Sequence, residues 1–406
     1  MAFHWKYLKL NLSTQLLLSL GFAALFGHLL PETLQAIFYS ISLTLKGALI
    51  FALPIVIFSC LFACLLTFRG ASSIGLMLLL FGIVFISNYF STLIAYGVGS
   101  LQLITIDVIA PNPIAASTEL TPLWNFTFPS WIPNEIALGL GFGAGAYFSL
   151  FPNRWADVFS LRAKHWVTLF LEKGFVPLLP LFAFGFILKM QYDGVLLQVI
   201  QAYLPLLLII LATYFLYLVF LFGLAARFNP TRWAALLKSM IPVMLTGFST
   251  MSSLATMPVT LSAAEKNTGN IDIARVVIPA TVNVHMVGVA IAIPLMAFAI
   301  LSSFGYPLPN FPEFCLFSIY FVLAQFTIAA VPGGGILVML PILESHFGFT
   351  GEMCALITAL YILFDPAITI TNVLGNSALV IFVSKLFNRV KKRGKYQQQA
   401  FININK

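Results

Sequence analysis

From Ala36 to Phe68 the chain carries one charged side chain, Lys46, and from Ile74 to Ile106 it carries none. A helix needs about 20 apolar residues to cross roughly 30 Å of hydrocarbon, and runs of this kind supply them. Comparable runs extend from Val195 to Ala226 and from Met353 to Phe387. With 60% of residues hydrophobic and 8% charged, too few charged groups remain to cover a water-facing exterior. The chain is read as an all-α integral membrane protein with about eight transmembrane helices, leaving no room for a soluble catalytic domain.

The net charge of +8 does not mark a nucleic-acid protein. Its basic residues sit at the ends of apolar runs, with one cluster at Lys391, Lys392, Arg393 and Lys395, the pattern of a cytoplasmic membrane anchor. Cys60, Cys64, Cys315 and Cys354 lie in or beside apolar segments without metal-ligand spacing and are read as small hydrophobes. The N-terminal stretch MAFHWKYLKLNLSTQ passes directly into an apolar run without a small-residue cleavage site, so it is expected to be mature sequence.

In chain order, a first span covers Gln15–Leu30, a second Ala36–Phe68, where Lys46 snorkels or pairs, and a third Ile74–Ile106. The proline-rich stretch Ala110–Pro133 reads as the longest loop, with Asp107 just before it and Glu119 within it. Gly139, Gly141, Gly143 and Gly145 form two overlapping small-xxx-small pairs of a packed helix; no βαβ unit surrounds them to make a nucleotide turn. A basic loop, Arg154–Lys164, leads into spans at His165–Leu188 and Val195–Ala226.

With both termini cytoplasmic, Lys6, Lys9, Arg69, Arg154, Arg162, Lys164, Arg227 and Arg232 fall inside, whereas Glu32, Asp107, Glu119, Asp193, Glu313 and Glu344 fall outside. Lys189 is the main exception to the positive-inside rule. The same alternation requires Trp233–Ser262 to enter and leave on the cytoplasmic side, between Arg232 and Lys266. That segment is predicted to be a re-entrant helical hairpin, broken at a polar centre holding Ser249, Thr250, Ser252, Ser253, Thr256 and Pro258. A span at Ile273–Leu301 follows. Phe314–Leu343, flanked by Glu313 and Glu344 and broken at Ala329–Gly335, then forms a second hairpin from the outer face. Its tip, Val331-Pro332-Gly333-Gly334-Gly335, would let backbone groups approach a small ligand. Two interrupted apolar segments in inverted positions point to a midplane substrate site in a secondary transporter.

The last span carries Asp365, Thr369, Asn372 and Asn376 at helical spacing, within one narrow stripe. A carboxylate at membrane depth marks a ligand contact by default, the alternative being a structural aspartate paired with a neighbouring helix. No His-Glu-x-x-His, Gly-x-Ser-x-Gly or phosphate-loop motif supports a membrane enzyme.

The segments FSTMSSLATMPVTLSAAEKN from Phe248 and AAVPGGGILVML from Ala329, with Asp365, Thr369, Asn372 and Gly375, resemble the dicarboxylate/amino acid:cation symporter family. The resemblance is strong from Thr231 to Arg389 and extends over the first half by hydropathy. It implies inverted repeats and a homotrimer. Residues 1–230 would then be mainly scaffold and trimerisation helices, with parts given to the transport domain; 231–390 would form an elevator-type transport core and 391–406 a cytoplasmic tail in the plasma (inner) membrane. Carried over by position, the substrate contacts are Ser252, Ser253, Val331, Gly335, Asp365, Ile368, Thr369 and Asn372. Asp365 would hold the ammonium, and Asn372 and Ser253 the α-carboxylate with main-chain groups of the tips.

Acidic-substrate members have an arginine where this chain has Ile368 or Met251, so a small neutral amino acid fits better than a dicarboxylate. The family's Asn-Met-Asp-Gly-Thr motif is His285-Met286-Val287-Gly288-Val289 here, a second aspartate is Asn376, and a hairpin threonine is Ile328. These exchanges weaken sodium sites by removing hard oxygen ligands. Asn283, His285 and Asn376 remain as cation or proton coupling residues, and His285 is either a proton carrier or a neutral hydrogen-bonded histidine. The partners expected are an amino acid and membrane lipid, with no nucleic acid and no cofactor besides the coupling ion, Na+ or H+. Acidic-substrate symport, uncoupled exchange or channel activity, and a transport-dead receptor stand as alternatives. His346 is expected to be a surface residue.

Overall fold

A computed structural model describes residues 12–68, 74–105, 120–129, 131–193, 196–328 and 334–404, and among these all regular structure is helical. The first half holds α1 (Leu12–Phe26), α2 (Glu32–Phe68), α3 (Ile74–Thr105), α4 (Asn134–Leu150), α5 (Arg154–Leu169), α6 (Leu179–Tyr192) and α7 (Leu196–Ala226). The second half holds α8 (Pro230–Thr250), α9 (Ser253–Thr268), α10 (Ile271–Thr281), α11 (Val287–Ser303), α12 (Phe311–Gln325), α13 (Gly334–Phe347) and α14 (Gly351–Ile404).

Within the described residues, Leu79–Leu101, Pro205–Ala226 and Gly351–Phe387 are each long and apolar enough to cross a membrane unaided. The segment expected to be a basic loop, Arg154–Lys164, is instead the start of α5, whose N-cap Asn153 accepts from the Trp155 amide. An asparagine ahead of a periodic apolar face is a helix start, and the basic residues lie on its wet side. A widened turn at Phe170–Phe175 joins α5 toward α6, with a bend of 50° between the two.

The predicted span Ile273–Leu301 is also not continuous. It breaks at Val282–Met286 into α10 and α11, so Asn283 and His285, expected from the sequence to take part in coupling, sit on unwound backbone. The chain between Leu120 and Pro129 forms no regular element. The remaining residues of the predicted long loop up to Glu119, and the second hairpin's tip through Gly333, lie outside the described residues.

Both predicted hairpins are antiparallel helix pairs, α8 with α9 and α12 with α13. After Lys238, α8 runs only to Thr250, about 18 Å at 1.5 Å per residue, short of a full crossing. Reversal occurs at Met251, which adopts a left-handed φ of 49°, an uncommon conformation for a residue other than glycine.

Packing falls into two sets. α2 lies along α4, α5 and α6, with α1 on α6; α11 lies against α3, α7 and α14, and α8 and α9 pack on α14. α11 is buried on nearly every side, which explains why it shows no amphipathic stripe. The glycine run of α4 serves helix contact through one of its two pairs: a Cβ at Gly141 would lie 3.1 Å from Phe58 Cα, and one at Gly145 2.7 Å from Leu65 Cδ1, while Gly139 and Gly143 face open space.

The four cysteines are free thiols. Lys46 pairs with Glu344 at 2.6 Å. His346 is half-buried rather than a bare surface residue, with its ring 5.0 Å from that of Tyr320 and its Nδ1 3.0 Å from Ser345 Oγ. Apolar and aromatic neighbours on α12 cover the return end of α13.

Candidate functional site

The stripe on α14 is buried throughout: Asp365, Thr369, Asn372 and Asn376 each keep 6% exposure or less. Pro366 removes one backbone donor within this stretch, yet α14 runs through it without interruption. Tyr361 and Thr369 stand one turn before and one turn after Asp365, and each receives a hairpin. A Cβ at Gly335, on α13, would fall 2.3 Å from Tyr361 Oη; only glycine permits that approach. A Cβ at Gly247, one turn before the first hairpin's tip, would lie 3.7 Å from Thr369 Cγ2. The two hairpins therefore reach α14 on either side of Asp365.

Asn372 Oδ1 accepts from the Gly288 amide at 2.8 Å. A backbone N–H can only donate, so this contact fixes which end of the side-chain amide faces α11. The Asn372 NH2 is left turned away from α11, and it makes no hydrogen bond among the described residues. The same holds for the carboxylate of Asp365, which has no hydrogen-bond or ion-pair partner among them. Asp365 and Asn372 are two turns apart, about 10.5 Å along the axis, with Thr369 between them. A free acceptor and a free donor are thus held on one face at the separation that two short side chains and a compact zwitterion can fill.

At the first hairpin, Ser252 and Ser253 behave differently. Ser252 Oγ caps α9 by accepting from the Ala255 amide at 3.2 Å, a capping job that uses one acceptor position and leaves the hydroxyl proton. Ser253, the first residue of α9, has an uncommitted hydroxyl among the described residues. Beside it lie the open N–H groups of the first helical turn, which favour an anion. Gly335 lies against Tyr361, one turn from Asp365, whereas Val331 lies outside the described residues. Ile368 is packed into the main core, 1% exposed.

The break between α10 and α11 is held from α3. Asn88 donates from Nδ2 to Val284 O at 2.7 Å and accepts on Oδ1 from the Met286 amide at 3.2 Å, satisfying two of the backbone groups that unwinding releases. Gln325 Nε2 donates to Met286 O at 3.4 Å, and Tyr214 donates to Gly288 O at 2.7 Å. His285 Nε2 lies 2.8 Å from Ser87 Oγ, and its ring faces Gly375 of α14.

Four buried polar groups at or against this break retain an unpartnered atom: His285 Nδ1, Asn283 Oδ1, Gln325 Oε1 and the NH2 of Asn376. Thr281 Oγ1 is 2.7 Å from Val277 O and 2.5 Å from the Asn376 amide, but its single proton can serve only one acceptor. With Thr281 donating to Asn376 Oδ1, the Asn376 NH2 is left without a partner among the described residues. The groups in contact with the break, Ser87, Asn88, Gln325, Asn372 and Asn376, are all uncharged.

Sequence reasoning missed Ser87, Asn88, Tyr214, Tyr361, Thr281 and Gly288. One signal was present for α3, where Ser87, Asn88, Ser91 and Thr92 form a polar strip in a run otherwise free of charge.

Across residues 12–386 the chain matches the Sodium:dicarboxylate symporter family. It is 25% identical over 326 residues to the Serine/threonine transporter SstT of Acinetobacter baumannii, a match covering 75% of this chain and 78% of that protein. It is 33% identical over 159 residues to the Excitatory amino acid transporter 1 of Rattus norvegicus and 32% over the same length to the Homo sapiens protein of that name. Those two matches cover 39% of this chain and 28% of the relatives, so the chain spans under a third of their length. With nearly its whole length matched and its two hairpins converging on one polar helix, the chain belongs to the sodium:dicarboxylate symporter family.

Proposed function

We propose that the protein carries a small neutral amino acid across the membrane as a secondary transporter. The ammonium rests on Asp365, and the α-carboxylate takes the Asn372 NH2, the Ser253 hydroxyl and the open amides of α9. The observation that carries this reading is the Gly288 amide on Asn372 Oδ1, which commits the oxygen and presents the donor. The surroundings support a neutral substrate side chain: Tyr214 and Tyr361 lie near Asp365, Ile368 and Thr369 share its helix, and none of the four offers a cation for a second carboxylate. The relative matched over most of its length is named for serine and threonine, both small and neutral.

Movement is of the elevator kind, with α3 and α7–α14 travelling against α1, α2 and α4–α6, in a trimer whose two chain ends face the cytoplasm. This division differs from a simple cut near residue 230, because α3 and α7 pack with the second half. The coupling ion enters at the break, where Asn283 Oδ1 and His285 Nδ1 lack partners among the described residues. An uncharged oxygen set binds sodium weakly, and an imidazolium there would be a buried charge with no carboxylate in contact.

Radiolabelled serine flux into proteoliposomes, driven by a sodium or a proton gradient, tests the reading. Asp365→Asn should abolish uptake while the protein keeps its unfolding temperature, since the carboxylate makes no bond to the described protein. Equal accumulation by that variant would sink the substrate assignment. A pH dependence unchanged in His285→Gln would assign coupling to sodium.

A further inference from the structure

Lys189 breaks the positive-inside pattern, and its surroundings supply a reason. Its Nζ lies 2.6 Å from Asp193 on its own helix and 3.8 Å from Glu352 at the start of α14. It also stands 5.6 Å from the ring centre of Tyr39, whose hydroxyl reaches Glu352 Oε1 at 3.5 Å. A second pair lies beside it: Lys46 of α2 and Glu344 of α13 at 2.6 Å, with Cys354 Sγ donating to the same Glu344 oxygen at 3.6 Å. A Cβ at Gly351 would come within 3.7 Å of Lys46 Nζ and 3.4 Å of Phe186 on α6, ordinary contact distances that put the start of α14 against both helices.

The charges sort by helix set. Both lysines belong to α2 and α6, and both glutamates to α13 and α14. The four side chains keep between 11% and 29% exposure, so their attraction is only partly screened by water. Asp193 is tied to the lysine side and also accepts from the Leu120 amide at 3.2 Å, which orients Lys189 from its own set.

We infer that Lys46 and Lys189, facing Glu344 and Glu352, form a charged latch between the two helix sets and set the balance between transport conformations. This rests on the reading that the sets move past each other. Contacts within a set persist through such a movement and act on folding. Contacts between sets exist in one conformation and are lost in the other, so they enter the conformational equilibrium directly. Tyr39 and Thr350, which donates to Glu352 Oε2 at 2.9 Å, position that carboxylate toward Lys189.

The test uses the full chain in lipid vesicles, with its four cysteines replaced by alanine and spin labels at Tyr147→Cys on α4 and Leu245→Cys on α8. Both positions are exposed and lie in different sets. Distance distributions are compared for the parent, Lys46→Glu, Glu344→Lys, the exchanged pair carrying both, and Lys189→Gln. The parent should favour the distance seen in this structure. Each single reversal should shift the ratio of the two populations by about tenfold, and the exchanged pair should restore it, the mark of a pairwise interaction. Lys189→Gln should shift it less, because Lys189 divides its charge with Asp193.

Restoration by the exchanged pair also shows that the single variants are folded. Two distances whose ratio ignores these charges, or an exchanged pair that behaves like the single reversals, would overturn the latch and leave the moving-set reading standing. One distance in every variant, with serine flux intact, would overturn both.

Discussion

Asn372 has two jobs that can be separated by substitution. Its Oδ1 serves the Gly288 amide and its NH2 is assigned to the substrate carboxylate. Asn372→Asp keeps an acceptor for Gly288 and removes the donor, replacing it with an oxygen that repels a carboxylate. A hydrogen bond to a charged group contributes about 1.5–3 kcal/mol, so its loss alone weakens binding roughly 10- to 150-fold at 1.4 kcal/mol per decade. Repulsion adds to that. Asn372→Leu keeps the volume but leaves the Gly288 amide buried without an acceptor, which costs about 1–3 kcal/mol of stability as well as the binding. Titration of serine binding in detergent, paired with thermal unfolding, reads both quantities. The expected pattern is a stable Asp variant that does not bind and a Leu variant impaired in both measures. Serine binding by Asn372→Asp at parental affinity would refute the assignment of the free NH2, and an undiminished unfolding temperature for Asn372→Leu would refute the structural half.

Gly288→Ala would place a Cβ 2.6 Å from Ile368 O, a backbone atom that cannot swing away, and should destabilise by about 1–3 kcal/mol. Gly143→Ala, with no atom within 4 Å, should be neutral or stabilising by up to about 1 kcal/mol; thermal unfolding of the two side by side checks the α11–α14 contact. Asn88→Leu removes both bonds that hold the break and should lower stability by about 2 kcal/mol or more, with hydrogen exchange rising at Val284 and Met286. Replacement of Ser252 by alanine should loosen the α9 cap by about 1 kcal/mol, whereas Ser253→Ala should reduce serine affinity without moving the unfolding temperature.

Much of the architecture was legible because membrane helices announce themselves by apolar length and charge placement. The hairpins at Trp233–Ser262 and Phe314–Leu343 followed from charges of one sign at both ends, and the α14 stripe from spacing alone. The basic stretch Arg154–Lys164 has the charge density of a loop, but the Asn153 cap and the apolar face behind it are the stronger signals. The break in Ile273–Leu301 was invisible to hydropathy: Val282–Met286 is no more polar than many helical turns, and unwinding there depends on Asn88, a residue nearly two hundred positions away.

The sequence by itself determined that this chain lives in lipid, that two of its apolar segments turn back, and that Asp365 shares a face with Thr369, Asn372 and Asn376. Those are properties of neighbours along the chain, where period and composition act directly. Which end of Asn372 is free, which serine is occupied, and which lysines meet which glutamates were decided only by the tertiary structure. A side-chain amide or hydroxyl has several possible partners, and the choice among them depends on backbone groups brought close by packing between distant helices.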